Sequence, residues 1–171
     1  CMAGYYCLSN DLNQYPCPPG YYCPLNEEKQ QCPIATYNPN SYGASKAACL
    51  ACKEGYYCPE KAMSTLDSYP CPAGEYCITG STGTQKCPKG TFNDQTKGTS
   101  IASCKKCPGG KYCLEAETSP KTCSAGNYCP ESSFEETTCP AGNYCPAGTT
   151  TPKICPAGYY CPQGSSDYKS W

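Results

Sequence analysis

The sequence predicts an array of small disulfide-rich repeats: short strands and turns in an elongated line, with no single hydrophobic core. Three observations predict it. A phrase, Cys-Pro-x-Gly-x-aromatic-Cys, recurs ten times. Cysteine accounts for 20 of the 171 residues. The usual core-builders are scarce, with two Phe, two Met and one Trp. A chain of this length normally buries a continuous apolar interior; here staples must replace much of it.

The phrase opens at Cys1, Cys17, Cys32, Cys52, Cys71, Cys87, Cys107, Cys123, Cys139 and Cys155, which we number copies 1 to 10. An aromatic stands five residues after the opening Cys in all ten copies, glycine three after in nine, and Pro next in seven. From Cys107 onward the step is a strict 16 residues. Pro presets φ for a turn, and Gly at a fourth position suits a type I turn. The aromatic-Cys dipeptide that follows favours an extended strand. The connectors, such as 114–122 and 130–138, are polar and rich in Ser, Thr, Glu and Pro, and read as exposed loops. No amphipathic helix stands out; the best stretch, 26–31, is too short to stand alone.

Copies 3 and 6 depart from the rest. Their closing positions hold Asn38 and Asn93, and each is followed by a longer loop ending in Cys-x-x-Cys, Cys49/Cys52 and Cys104/Cys107. These two long copies lie 55 residues apart throughout. The chain thus divides into short repeats over 1–31, a long unit with short repeats over 32–86, a second long unit over 87–122, and 16-residue repeats over 123–171. If each long loop closes on itself, Cys32 to Cys49 and Cys87 to Cys104, the remaining cysteines fall into even blocks. Parity leaves alternate and adjacent pairing within those blocks both open.

Composition excludes several classes. The net charge is −1 with 13 Lys, no Arg and no His. Nucleic-acid binding needs clustered cations, and the commonest general base and metal ligand is absent. No run of about 18 apolar residues exists, so nothing here spans a membrane as a helix. Dense, even-numbered cysteines indicate an oxidising compartment, secreted or at the cell surface. The chain starts at Cys1 without Met and in phase with the repeat, which suggests a piece of a longer array.

Residues that could carry chemistry read as structural. With no His and a regular even array, the Cys-x-x-Cys pairs read as disulfides rather than zinc or redox sites. Glu27/Glu28 and Glu135/Glu136 lie in polar connectors with no apolar pocket to raise a pKa. Asn10-Asp11 is too little for a calcium-binding signature. We therefore expect no enzyme, no cofactor and no metal. Of the 17 Tyr, nine fill the aromatic slot, where rings pack against disulfides in place of a core. Adjacent strand residues face opposite sides, so Tyr5, Tyr21, Tyr56 and Tyr159 should point outward as an inter-chain contact surface. Glycosylation is expected as O-glycans at Thr149, Thr150 and Thr151, since no Asn-x-Ser/Thr sequon exists.

The run Cys87-Pro88-Lys89-Gly90-Thr91-Phe92-Asn93, Gly98, Cys104-x-x-Cys107-x-x-Gly110-x-Tyr112-Cys113 resembles the ephrin-receptor-like cysteine-rich repeat. Cys32 to Cys58 is similar to it, with Ala35 where the family has Gly. The two long matches cover about a third of the chain, and the 16-residue copies look like abbreviated versions. Such repeats are extracellular modules, related in style to tumour-necrosis-factor-receptor and EGF-like repeats. The resemblance tips the pairing toward alternation: Cys1–Cys17, Cys7–Cys23, Cys52–Cys71, Cys58–Cys77, Cys107–Cys123, Cys113–Cys129, Cys139–Cys155 and Cys145–Cys161, beside Cys32–Cys49 and Cys87–Cys104. The expected function is structural: a segment of a secreted or cell-surface fibre, coat or appendage that associates with like chains. The alternative is the stalk or ligand-binding ectodomain of a receptor or adhesion protein.

Overall fold

The computed structural model describes residues 1–9 and 13–170. Asn10 and Asp11, weighed above for calcium, lie outside the described residues. The chain forms two compact units. The first takes in Cys1–Pro72, Tyr76–Gln85 and Lys97–Ser100; the second takes in Ala73–Glu75, Lys86–Thr96 and Ile101–Trp171. The secondary structure is short: two-stranded antiparallel hairpins, with two single-turn 3₁₀ helices at Lys46–Ala48 and Ile101–Ser103. This is the disulfide-rich repeat array of short strands and turns that the phrase predicts.

Most hairpins pair the aromatic strand of one copy with the two residues just before the next opening cysteine. Tyr21–Tyr22 pairs with Gln30–Gln31, Asn127–Tyr128 with Thr137–Thr138, and Asn143–Tyr144 with Lys153–Ile154. The connectors are therefore not loops throughout, because their last two residues are return strands. Residues 30–31, part of the weak helical stretch, are one such strand. Two-residue strands are marginal alone, so something else must hold each hairpin.

Part of that support is the turn. Its hydrogen bond runs from the residue after glycine back to the residue after the opening cysteine: Tyr21 N–H to Pro18 (3.2 Å), Asn143 N–H to Pro140 (3.2 Å). Glycine is thus the third residue of the turn, with φ +82° at Gly20 and +80° at Gly142. A positive φ there is the mark of type II, not the type I turn expected. Proline acts as the acceptor that starts the turn. Where copies 1 and 8 lack it, a side chain takes the freed N–H: Gln14 Oε1 accepts from Met2 (3.1 Å), and Glu136 Oε1 from Ser124 (2.6 Å).

The second support is sulfur, and here the expected connectivity fails. Eight of the ten disulfides close a single phrase, Cys1–Cys7, Cys17–Cys23, Cys52–Cys58, Cys71–Cys77, Cys107–Cys113, Cys123–Cys129, Cys139–Cys145 and Cys155–Cys161. Cys1–Cys17, Cys7–Cys23, Cys52–Cys71, Cys58–Cys77, Cys107–Cys123, Cys113–Cys129, Cys139–Cys155 and Cys145–Cys161 do not form. The reason is geometric. The type II turn reverses the chain, so the ends of a seven-residue phrase come to about 5.9 Å between Cα atoms, inside the disulfide range. In the long copies the bonds are Cys32–Cys49 and Cys87–Cys104, each spanning 17 residues.

Bridges within a phrase cannot join one copy to the next; main-chain hydrogen bonds do. The turn glycine donates to the carbonyl at the closing position of the next copy, Gly20 to Asn38 (2.8 Å) in the first unit and Gly110 to Cys129 (2.7 Å) in the second. The next opening cysteine donates back to that glycine's carbonyl, as Cys71 does to Gly55 and Cys123 to Gly110 (2.9 Å each). The closing N–H reaches into the next connector, Cys58 to Ser81 (2.8 Å) and Cys129 to Thr149 (2.9 Å). The opening carbonyl accepts from a connector residue held in the left-handed region: Ala62 (φ +58°) to Cys32, Ser132 (φ +64°) to Cys107. A non-glycine residue there costs about 1–2 kcal/mol, which the recurring bond offsets.

The buried interior is mostly sulfur. The opening and closing cysteines of copies 2 to 9 lie at zero exposure, Cys49 and Cys104 are half-buried, and large apolar side chains such as Leu25, Ile78 and Leu114 are exposed. In the first unit Met63 joins Cys52 and Cys58 in a small cluster, flanked by Tyr37, Tyr56, Leu66 and Tyr69. Among the described residues the second unit carries four ion pairs, three of them exposed, as at Lys105–Asp94 (2.8 Å), and a fourth, Lys121–Glu117 (3.3 Å), in which the carboxylate is partly covered. Exposed pairs of this kind contribute little to stability.

Candidate contact surface

All 20 cysteines are in disulfides, and no group of three His, Cys, Asp or Glu that could hold a metal is found among the described residues. One concavity, about 620 Å³, is an open cleft bounded by Tyr21, Glu28, Lys29, Gln30, Gln31, Pro33 and Lys61. No helix of the described residues is long and apolar enough to cross a membrane.

The tyrosines expected to face outward divide. Tyr5 is half-buried, its ring edge-on to Tyr42 at 5.4 Å. Tyr21 is half-buried beneath the Lys29 ammonium at 4.6 Å from the ring centre, and that ammonium also covers Tyr6 at 4.9 Å. Tyr56 is half-buried under Lys97 at 5.0 Å, and the contact with the Tyr56 hydroxyl raises the Lys97 pKa. These three rings are already occupied: Tyr5 and Tyr56 meet the connector of a later copy, and Tyr21 meets the connector of its own copy. Tyr159 is different. It is exposed, lies 4.7 Å from Tyr168, and Tyr168 also meets Tyr144 at 5.2 Å. With Ile154, 83% exposed, these residues make an aromatic and aliphatic patch on copies 9 and 10.

Of the threonines expected to carry glycans, Thr149 is 7% exposed and its hydroxyl donates to the Pro146 carbonyl (2.6 Å), which closes it to an enzyme. Thr150 and Thr151 are exposed. Glu27 and Glu28 are exposed, as read, but Glu136 is not simply solvated. Its carboxylate accepts from the Ser124 N–H, the Ser124 hydroxyl (2.8 Å) and the Asn127 amide (3.2 Å). The missing proline at position 124 is the sequence signal for that site.

The most consequential residues missed are Asn38 and Asn93. Each is 1% exposed at a closing position without cysteine. The Asn38 amide donates to the Tyr21 carbonyl (2.8 Å), and its oxygen accepts from Asn40 N–H (3.1 Å). Asn93 does the same with Glu75 (3.0 Å) and Gln95 (3.1 Å). The signal was present: both Asn occur only where an extra cysteine, Cys49 or Cys104, arrives to bond the opening one.

Fold and surface together define a disulfide-rich repeat scaffold. No family model matches the chain. It is similar to ABC transporter G family member 28 of Arabidopsis thaliana, 33% identical over 120 residues, covering 60% of this chain and 10% of the relative. It is also similar to the ABC-type transporter claG of Penicillium crustosum (30% over 89 residues, 51% and 11%) and to ABC transporter G family member 25 of Oryza sativa subsp. japonica (31% over 102 residues, 51% and 10%). The chain spans about a tenth of the length of these curated relatives.

Proposed function

We propose that the chain is a structural segment of a secreted or cell-surface fibre, coat or appendage, assembled with like chains and without catalytic activity. One observation carries this reading. In copies 1 to 9 the turn residue, Gly or Ala35, spends its N–H on the closing carbonyl of the next copy. Such a repeat supports another repeat. Disulfide density supports an extracellular location, and exposed Thr150 and Thr151 are the acceptors for O-glycans in this reading. The phrase's resemblance to ephrin-receptor-like modules agrees with it. The test is electron microscopy of native material without reductant, with antibody labelling of unpermeabilised cells. Labelled, ordered assemblies are expected; dispersed monomers or label only after permeabilisation would overturn the proposal.

A second reading is favoured by the three transporter relatives: an exposed segment attached to a larger membrane protein. It predicts that the native protein sediments with membranes and is released only by detergent. Release by salt or buffer alone counts against it.

A further inference from the structure

We propose that Tyr57 and Tyr69 of copy 4 are a site of oxidative coupling, at which hydrogen peroxide, acting through a haem peroxidase, joins the two rings as dityrosine.

The sequence marks the site. Tyr-Pro stands directly before an opening cysteine twice, at Tyr15-Pro16-Cys17 and Tyr69-Pro70-Cys71. Each of these tyrosines lies across the hairpin from the aromatic slot of its own copy. Tyr6 is in register with Tyr15, and the Tyr57 N–H donates to the Tyr69 carbonyl (3.2 Å). The ring centres lie 5.6 Å apart in copy 1 and 5.4 Å apart, edge to face, in copy 4. Elsewhere the residue opposite the slot is not aromatic, as at Gln30, Leu50, Lys121 and Thr137.

Copy 4 adds a proton acceptor. The Tyr69 hydroxyl donates to Glu60 Oε1 (2.9 Å) in an exposed position, and that bond raises the Tyr69 pKa. The phenol therefore stays neutral, and a neutral phenol gives up an electron readily only when its proton leaves in the same event. Glu60 is placed to take that proton. Copy 1 has Ser9 at the position of Glu60. Residues that compete for oxidant are few: no free cysteine, no His, one Trp and two Met, of which Met63, in the cluster against Tyr69, is 7% exposed.

The reaction balances. Each phenol loses one electron and one proton. The two phenoxyl radicals form a bond between carbons ortho to their hydroxyls, and the hydrogens on those carbons shift to the oxygens. The pair has lost two hydrogens, and one peroxide has become two waters. Both rings are half-buried rather than enclosed, so one can turn from its edge-on pose to bring the ortho carbons together. The product clamps a weakly paired hairpin, since copy 4 has an isolated bridge, Tyr56 with Pro70, in place of paired strands.

The test treats the disulfide-intact chain with a haem peroxidase and substoichiometric hydrogen peroxide. Dityrosine fluorescence gives the rate. After reduction, alkylation and trypsin, which cuts at Lys53, Lys61 and Lys86, mass spectrometry should find peptides 54–61 and 62–86 joined with the loss of two hydrogens. Tyr57→Phe and Tyr69→Phe should each abolish this product with little change in Tm. Glu60→Gln keeps a hydrogen-bond acceptor but cannot hold the proton, and should slow coupling about tenfold or more. The Tyr6–Tyr15 pair, without a carboxylate, should couple more slowly than Tyr57–Tyr69. A link that persists in either Phe variant, an unchanged rate in Glu60→Gln, or dityrosine spread without preference over other tyrosines overturns the assignment. The reaction needs only the oxidant, so its outcome is independent of the fibre reading.

Discussion

Asn93 occupies the position that eight copies give to a closing cysteine, and a buried amide replaces the covalent bond with two hydrogen bonds. Asn93→Ala would leave the Glu75 carbonyl and the Gln95 N–H without that partner. The expected loss is about 2–4 kcal/mol, read from urea unfolding of the oxidised protein; a change below the error of the midpoint would show the amide to be dispensable. The turn glycines offer a sharper contrast. Gly74→Ala puts a Cβ 2.3 Å from the Ala116 carbonyl oxygen, whereas Gly142→Ala meets nothing. Both bear the left-handed strain of about 1–2 kcal/mol, but only Gly74→Ala must also displace main chain. Its Tm should fall several degrees further than that of Gly142→Ala, and equal falls would sink the close contact.

At the scale of the hairpin, sulfur and charge differ in reach. Replacing both Cys107 and Cys113 by Ser opens a loop of sequence separation 6, and replacing both Cys32 and Cys49 opens one of 17. The chain-entropy model gives losses of about 2 and about 3 kcal/mol. Calorimetry of the two double variants checks the order. Ion pairs act on the pH dependence instead. The hydrogen bond from Lys105 holds the Asp94 carboxyl below its ordinary range. At Glu117 partial burial pushes upward, but bonds from Lys121 and the Leu114 N–H outweigh it, and the net shift is downward. Both depressed carboxylates contribute stability that is present above the ordinary carboxylate pKa of about 4 and lost as pH falls through the folded values. The Tm of the oxidised protein should decline modestly below that pH, and Asp94→Asn with Glu117→Gln should flatten the decline.

Over the whole molecule the disulfides shape each phrase, and the main-chain bonds assemble the phrases. Reduction should therefore release the turns first and the copy-to-copy bonds with them, since two-residue strands have little else to hold them. The fully reduced chain should lose its cooperative thermal transition in circular dichroism; a transition that survived would refute the dependence on sulfur. Access should set the order of reduction. Cys7 is exposed, while both cysteines of copies 2, 4, 5, 7, 8 and 9 are fully buried. Limited reductant followed by alkylation and mass spectrometry should label Cys1 and Cys7 before those. Early labelling of Cys107 or Cys113 would contradict the burial.

By itself the sequence determined the repeat, its ten copies, the sulfur-for-core exchange and the strand at the aromatic slot of every copy but the fourth, because these follow from composition and local spacing. It also placed loops that the structure caps with return strands, as at Lys121–Thr122, since a two-residue strand of polar residues has no pattern to show. The pairing of cysteines was decided only by tertiary structure. Parity permits many connectivities, and the choice turned on whether Gly20 or Gly142 bends the chain by a type I or a type II turn. The recurring glycine is itself the local mark of that positive φ, since Gly158 holds φ +84° with no later copy against it; the sequence reading set it at the fourth position of the turn instead of the third. The outward tyrosines were hidden by side-chain packing. Whether Tyr21 meets water or Lys29, and whether Tyr159 stays open, depends on which segment packs against it.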